Sequence, residues 1–408
     1  MDSVAKESIL PDRLSERLCG LILKDEQRLA IEALMSGKDV LAVLPTGFAS
    51  LSRRIPLRSI IDDQLQSNDF GLKAVAFERK PELMKDIAAN KFQVIFASAE
   101  QALSKEFRDL LKDESSEFRK NLSLVVVDEC HTIVSFFGGL PFLALTGTAD
   151  LKMKQIIMKD LSFKKGKVVL DISPERSNIR FTILETKREN YLQHLQWLID
   201  MIRLERENMP KTIIFCTTMQ DVGKLSGHLL GMLGGNAYVT DKPCVPVNRL
   251  LGIYHSMTWP KYRGRVTDSF KQDSGLVKVV VATSALSMGV NFPDVKFVIH
   301  VGPARSTVDH IQEAGRAGRN GKPAHIVIIY HGNQLSQCDK SVKTFCKISC
   351  IGKALFEEYA AVESFTCLHD CCSDCEKKCL CGGGECKREA FPFDNPMGSL
   401  QSKSTITT

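Results

Sequence analysis

Leu122-Ser123-Leu124-Val125-Val126-Val127-Asp128-Glu129-Cys130-His131-Thr132 is the stretch on which the fold turns. Residues 124–127 form a short, β-branched apolar run, the pattern of a strand buried on both faces of a parallel sheet. It runs straight into two acids and a histidine. The carboxyl ends of such strands are where α/β folds place ligand chemistry. Phosphoryl hydrolysis needs one carboxylate to hold Mg²⁺ and another to orient or deprotonate a water. Asp128 and Glu129 can fill those roles.

Strand and helix patterns alternate on both sides of this run. An amphipathic helix opens at Leu23-Lys24-Asp25-Glu26-Gln27, with Leu29, Ile31, Leu34 and Met35 expected on its apolar side. Strands are expected at 40–44, 72–77, 94–97 and 142–145, and helices at 58–66, 81–89 and 101–111. This βαβα order predicts a parallel, doubly wound sheet. A second series is expected to begin with strands 168–171 and 181–185, after a linker at Lys164-Lys165-Gly166-Lys167. It continues through a long helix at 191–206, strands at 212–216, 250–254, 278–282, 297–301 and 325–330, and helices at 221–233, 260–271 and 307–314. The expected organisation is therefore two tandem parallel-sheet α/β domains, residues 1–164 and 165–334. A small helical metal-binding region at 335–390 and a Ser/Thr-rich disordered tail at 391–408 follow.

Size and composition agree. A chain of 408 residues with 44% hydrophobic content is long enough for two or three cores. The N-terminus has no signal-peptide pattern and no apolar run reaches the roughly 18 residues of a membrane span, which predicts an intracellular, reduced protein. The net charge of +6 permits nucleic-acid binding without arguing for it. Most of the 14 cysteines fall between Cys338 and Cys386. In a reducing compartment such a cluster points to metal before disulfides.

A second α/β domain can supply positive charge to a nucleotide held by the first. Gln312-Glu313-Ala314-Gly315-Arg316-Ala317-Gly318-Arg319 has the residues for it. Arg316 and Arg319 are three apart, on one helical face if the helix continues. An arginine held in cis stabilises transferred phosphoryl charge.

With Asp128-Glu129-Cys130-His131 and Leu145-Thr146-Gly147-Thr148-Ala149, this stretch resembles motifs II, III and VI of superfamily 2 helicases, and more narrowly the RecQ family. Residues 23–27, 212–216 and 281–291 with Pro293-Asp294-Val295 resemble motifs 0, IV and V. The resemblance spans about residues 23–375. It implies an ATP- and Mg²⁺-dependent DNA helicase that moves 3′ to 5′ on single-stranded and forked DNA in recombination and repair, in the nucleus. It implies that Asp128 holds Mg²⁺, that Glu129 activates the water, and that His131 couples nucleotide to DNA. Arg316 and Arg319 are then the residues that reach the γ-phosphate. It further assigns Lys24, Gln27, Thr46, Gly47, Thr148 and Gln312 to ATP binding, with Gln27 reading the adenine edge. Ser98, Thr146, His255 and Thr283 are assigned to DNA.

The cysteines resemble the RecQ zinc subdomain, in which a helical cysteine precedes three closely spaced ligands. Cys350, Cys372 and Cys375 map onto it, with Cys372-Ser373-Asp374-Cys375 at a spacing zinc commonly takes. His369 is assigned as the fourth Zn²⁺ ligand, with Cys367 and Cys371 as alternatives.

Two departures stand out. The family's phosphate loop reads Pro-Thr-Gly-x-Gly-Lys-Ser, whereas here Ala49, Ser50 and Leu51 occupy the last three positions. The lysine neutralises phosphate charge and the hydroxyl binds Mg²⁺. Leu51 does neither, and a guanidinium from Arg53 or Arg54 is not a substitute inside a tight cradle. Gly47 to Pro56 also leaves too little chain for a parallel crossover, which needs about a dozen residues. The family's aromatic-rich loop after His131 is shortened as well, so the two gaps point to exon skipping or an incomplete gene model. Genomic sequence between the codons for Ser50 and Ile55 tests this: if it holds no coding insert, the idea fails. These departures make a non-catalytic DNA- and zinc-binding derivative the alternative to an active helicase.

Overall fold

In a computed structural model of the chain, the structure describes residues 24–44, 73–127, 141–161, 163–286, 292–347, 350–356, 359 and 371–377. The chain divides into two units at Pro174/Glu175. Among the described residues no helix is long and apolar enough to cross a membrane.

The first unit carries a parallel sheet ordered β4-β5-β1-β6 and a separate parallel pair, β2-β3. These strands are β1 (Val40–Val43), β2 (Ala74–Ala76), β3 (Val94–Phe96), β4 (Val125–Val127), β5 (Phe142–Thr146) and β6 (Val168–Asp171). β1 and β5 lie inside the larger sheet and every residue in them is buried. Their unbroken apolar runs are what two covered faces require. Asp39, just before β1, is buried but satisfied: its carboxylate accepts from the backbone N–H of Phe142 at 3.1 Å and of Lys164 at 2.6 Å.

Several expectations change here. β4 is not buried on both faces; among the described residues β5 alone pairs with it, and Val126 is 46% exposed. β6 does not open the second domain, because it pairs in register with β1, Val40 opposite Val168. The basic Lys164–Lys167 stretch is thus a loop within the first unit. The Asp25–Met35 helix buries Gln27, Ala30 and Ala33, while Leu29 and Met35 face out. The helix expected at 101–111 is two, Ala99–Ala102 and Lys105–Lys112. Ser104 caps the second, its Oγ accepting from Phe107 N at 3.3 Å. A helix at Leu151–Asp160 was not expected. Its signal is Asp150, whose carboxylate accepts from Met153 N at 2.6 Å.

The second unit is one six-stranded parallel sheet, ordered β7-β12-β11-β8-β10-β9. The strands are β7 (Ile179–Glu185), β8 (Lys211–Cys216), β9 (Leu251–Tyr254), β10 (Val279–Ala282), β11 (Val295–Val301) and β12 (Ala324–Tyr330). β8, β10 and β12 are buried throughout. One face packs against the helices Gln196–Glu205 and Met219–Leu233 through Leu198, Ile202, Leu225 and Leu229. The expected long helix at 191–206 begins as a 3₁₀ turn, Tyr191–Leu195, and only then becomes α-helical. The opposite face packs against the Pro260–Lys271 and Thr307–Ala314 helices and continues without a break into Val342, Phe345, Ile351, Leu355 and Cys372. The cysteine-bearing region therefore shares its core with this sheet. At Gly252 an added Cβ would meet Val266 Cγ1 at 2.6 Å, so glycine lets the Pro260–Lys271 helix lie close on β9.

Candidate functional site

Asp128, Glu129, His131, Thr46, Gly47 and His369 lie outside the described residues. The remaining candidates fall into four places.

In the first unit, Gln27 is buried at the start of its helix, and its Oε1 accepts from Lys24 N at 2.9 Å. One end of the amide thus fixes the helix N-terminus and orients the side chain. Thr146 and Thr148 are buried at the carboxyl end of β5, where Thr148 N donates to Thr146 Oγ1 at 3.3 Å. Leu44 N donates to Thr146 O at 3.0 Å, so the ends of β1 and β5 are tied together. Ser98 belongs to the separate β2-β3 pair. Its N donates to Gln101 Oε1 at 2.9 Å, and its Oγ accepts from Gln101 N at 3.2 Å.

In the second unit, the Thr307–Ala314 helix carries Gln312 and stops at Gly315. The helix does not continue, which corrects the expectation of a shared helical face: Arg316 and Arg319 sit on a turn. Gly318 adopts φ +57°, and a Cβ there would meet Asn178 Nδ2 at 2.5 Å. Glycine is required at this bend on both counts. Two residues that sequence reasoning passed over hold the turn. Arg176 Nη2 donates to Ala317 O at 2.7 Å, and Asn178 Nδ2 donates to Gly318 O and Lys322 O at 2.8 Å each. Burial pulls the Arg176 pKa down to about 10, still charged at neutral pH. Their only sequence signal is polar side chains capable of bonding carbonyls, set just before a strand. Arg319 Nε donates to Gly315 O at 3.0 Å, and Arg316 is 3% exposed.

Beneath this turn lies a buried polar cluster. His300 Nδ1 is 3.3 Å from Glu313 Oε2, and the His300 and His310 rings pack with centroids 4.6 Å apart. His310 Nε2 accepts from Ala304 N at 2.9 Å. Burial, reinforced by Asp309 and opposed by Arg316, pushes Glu313 up to about 8. Burial also pulls His300 down to about 3, and drives His310 well below its usual value. The His300–Glu313 contact is consequently between two neutral groups and is not an ion pair.

His255 and Thr283 are brought together at the carboxyl ends of neighbouring strands β9 and β10. Thr283 N donates to Tyr254 O at 3.2 Å, and His255 N donates to Thr258 Oγ1 at 3.0 Å.

The fourth place is a sulfur cluster. Cys350, Cys371, Cys372 and Cys375 bring their Sγ atoms within 4.8 Å of one another. Cys350 and Cys371 are 3.8 Å apart, the edge of a tetrahedron of about 3.8 Å expected for four thiolates at Zn–S of about 2.3 Å. The donor set fits zinc, with Cys371 in the position for which sequence also offered His369 and Cys367. A hydrogen bond from the Cys371 thiol, helped by backbone N–H groups of Cys375 and Ile351, pulls Cys372 down to about 4. Phe181 N donates to Cys371 O at 3.1 Å, seating the cluster on edge strand β7.

Comparison with known proteins follows this layout. Residues 193–321 match the helicase conserved C-terminal domain. The fold aligns with the DUF1998 helicase MrfA bound to DNA and AMPPNP, with a TM-score of 0.60 and 17% identity, covering 78% of this chain and 50% of that one. The parallel sheets of the two units are of the RecA-like α/β class, and the second carries the helicase C-terminal match. The ATP-dependent DNA helicase RecQ of Haemophilus influenzae is 28% identical over 342 residues, covering 74% of this chain. The ATP-dependent DNA helicase hus2/rqh1 of Schizosaccharomyces pombe is 27% identical over 350 residues, 75% of this chain and 25% of its own length. Over about three quarters of its length the chain is thus similar to RecQ-type DNA helicases. It spans 50% of the length of the Haemophilus relative.

Proposed function

We propose that the chain serves ATP-driven 3′–5′ movement on single-stranded DNA and duplex unwinding in recombination and repair, in the nucleus. The observation that carries this reading is the Gly315–Arg319 turn, braced by Arg176 and Asn178 so that two arginines leave the end of one parallel sheet in fixed positions. In this reading Arg316 and Arg319 meet phosphate charge, assisted by Gln312. Gln27 reads adenine, with Lys24 beside it, and Thr148 relays nucleotide state. Asp128 is the residue for Mg²⁺, Glu129 for the water, and His131 for coupling. Ser98, Thr146, His255 and Thr283 follow the DNA backbone, so binding weakens steeply with salt. Zn²⁺ held by Cys350, Cys371, Cys372 and Cys375 supplies structural cross-linking.

A second reading rests on one specific observation: Ala49, Ser50 and Leu51 stand where the family's phosphate loop has glycine, lysine and a hydroxyl residue. These residues do not fit the triphosphate. In this reading the chain binds DNA and zinc without turnover. ATPase rates measured with and without single-stranded DNA separate the two. DNA-stimulated hydrolysis abolished by Glu129→Gln supports the first. Salt-sensitive DNA binding with no hydrolysis above background establishes the second.

A further inference from the structure

A groove on the second unit has no role in either reading. It runs along the Pro260–Lys271 helix beside edge strand β9. Its larger part is an open cavity of about 770 Å³ lined by Trp259, Lys261, Tyr262 and Arg265 among others. A smaller pocket of about 170 Å³ shares Tyr262 and Arg265 with it and adds Arg249.

Trp259 is 71% exposed, although indole is costly to leave in water and the adjoining core is closed without it. Its backbone carbonyl accepts from Arg263 N at 2.9 Å, which fixes the residue at the mouth of the groove while leaving its ring outward. Beyond it, the Arg265 guanidinium lies over the Tyr262 ring, 4.9 Å from its centroid, and the Arg249 guanidinium is 5.6 Å from that of Tyr238. Such stacking holds each cation in a defined place without neutralising it. Among the lining residues Lys261, Arg265 and Arg249 face a single carboxylate, Asp268. The groove thus offers an apolar stacking plate at one end and an excess of positive charge along its length. That is the chemistry of a strand with exposed bases and a phosphate backbone. It also starts four residues after His255, at the carboxyl end of β9.

We infer that this groove is a docking lane for single-stranded nucleic acid, in which an unpaired base stacks on Trp259 and the backbone runs past Lys261, Arg265 and Arg249. The inference adds a lane to the proposed DNA path and rests on that reading only for continuity at His255.

The chain has two tryptophans, and Trp197 is buried in the core, so its emission provides a direct test. The full chain is titrated with fluorescein-labelled oligothymidylate and, separately, oligouridylate, following tryptophan quenching and fluorescein anisotropy together. The expected result is quenching that persists in Trp197→Phe and disappears in Trp259→Leu, with affinity lowered about tenfold in Trp259→Leu. Lys261→Glu/Arg265→Glu, with an unchanged far-UV spectrum, weakens binding further and reduces the slope of log K against log salt by about 1.4. A response to one oligomer alone supports the lane and assigns it to DNA or RNA. Anisotropy change without quenching, and equal in these variants, overturns the lane and leaves the DNA-binding reading standing. No binding of either oligomer overturns both. Quenching by an acidic aromatic peptide with none by the oligomers assigns the groove to a protein partner and overturns the inference.

Discussion

The two units use the same architecture to different degrees. In the second, six strands form one sheet, and three of its four inner strands, β8, β10 and β12, are buried from end to end. In the first, the six strands among the described residues divide into a sheet of four and a pair. β4, which leads into Asp128 and Glu129, pairs among the described residues with β5 alone, with Leu124 38% and Val126 46% exposed. Between β1 and β2 lies the stretch in which Ala49, Ser50 and Leu51 stand where the RecQ-type phosphate loop has glycine, lysine and a hydroxyl residue. A parallel strand is buried on both sides only if its neighbours are supplied by crossovers on both sides. The contrast teaches that residues of the right type at the end of a strand do not make a site by themselves. The strands that position them must also be joined, and among the described residues only those of the second unit form a single sheet.

The largest effect separating the units is metal removal. In the proposed zinc site, Cys350, Cys371, Cys372 and Cys375 tie the Ile351–Phe356 helix and residues 371–377 to β7 and its core. Structural zinc sites of this kind contribute on the order of 10 kcal/mol to folding. A strong chelator, or Cys372→Ser, is expected to lower the melting transition of the second unit by more than about 10 °C and leave the first unit's transition in place. A single unchanged transition after confirmed zinc loss would break the comparison.

An intermediate effect is pH. Between about pH 3 and 6.5 the unfolded chain takes up protons that buried His300, His310 and His325 refuse, so stability rises with pH there. Between 4.5 and about 8 folded Glu313 keeps a proton that the unfolded chain releases, so this residue makes stability fall with pH. Three histidines outweigh one glutamate up to 6.5; above it Glu313 makes stability fall with pH while the Cys372 thiol, held near 4, makes it rise. Comparing thermal melts of the chain and of Glu313→Gln from about pH 6.5 to 8.5 isolates the glutamate: the variant's midpoint should fall less, or climb more, as pH rises. A difference between the two that does not change with pH contradicts it.

The smallest effect compares matched valines. Val126→Thr, on exposed β4, is expected to change stability by less than about 0.5 kcal/mol. Val280→Thr, fully buried in β10, should cost about 1–3 kcal/mol, because its hydroxyl loses water. Equal costs would mean that β4 is covered in solution.

The inner strands of the second unit were legible from apolar runs such as Val279–Ala282 in β10 and residues 326–330 in β12, because burial on two faces writes that pattern directly. β6 was assigned to the wrong unit because its partner, β1, is more than a hundred residues away, while Lys164-Lys165-Gly166-Lys167 gives a strong local signal for a boundary. The Arg316–Arg319 spacing suggested a helix, since nothing local reveals that Gly318 takes a positive φ against Asn178. Arg176 and Asn178 were invisible because they act on backbone carbonyls about 140 residues distant. The choice among Cys367, His369 and Cys371 stayed open for the same kind of reason: what brings Cys371 into the cluster is a backbone bond to Phe181, which spacing does not encode.

Residues 176–181 have a consequence beyond either site. Arg176 and Asn178 brace the arginine turn, and Phe181, three residues further on, seats the cysteine cluster. One short piece of chain therefore holds both ends of the unit's chemistry. A lesion in these six residues, whether a missense change or a displaced splice junction, strikes two functions at once, although it touches no ligand and no motif arginine. In a family read by its motifs, such a change would be scored as harmless.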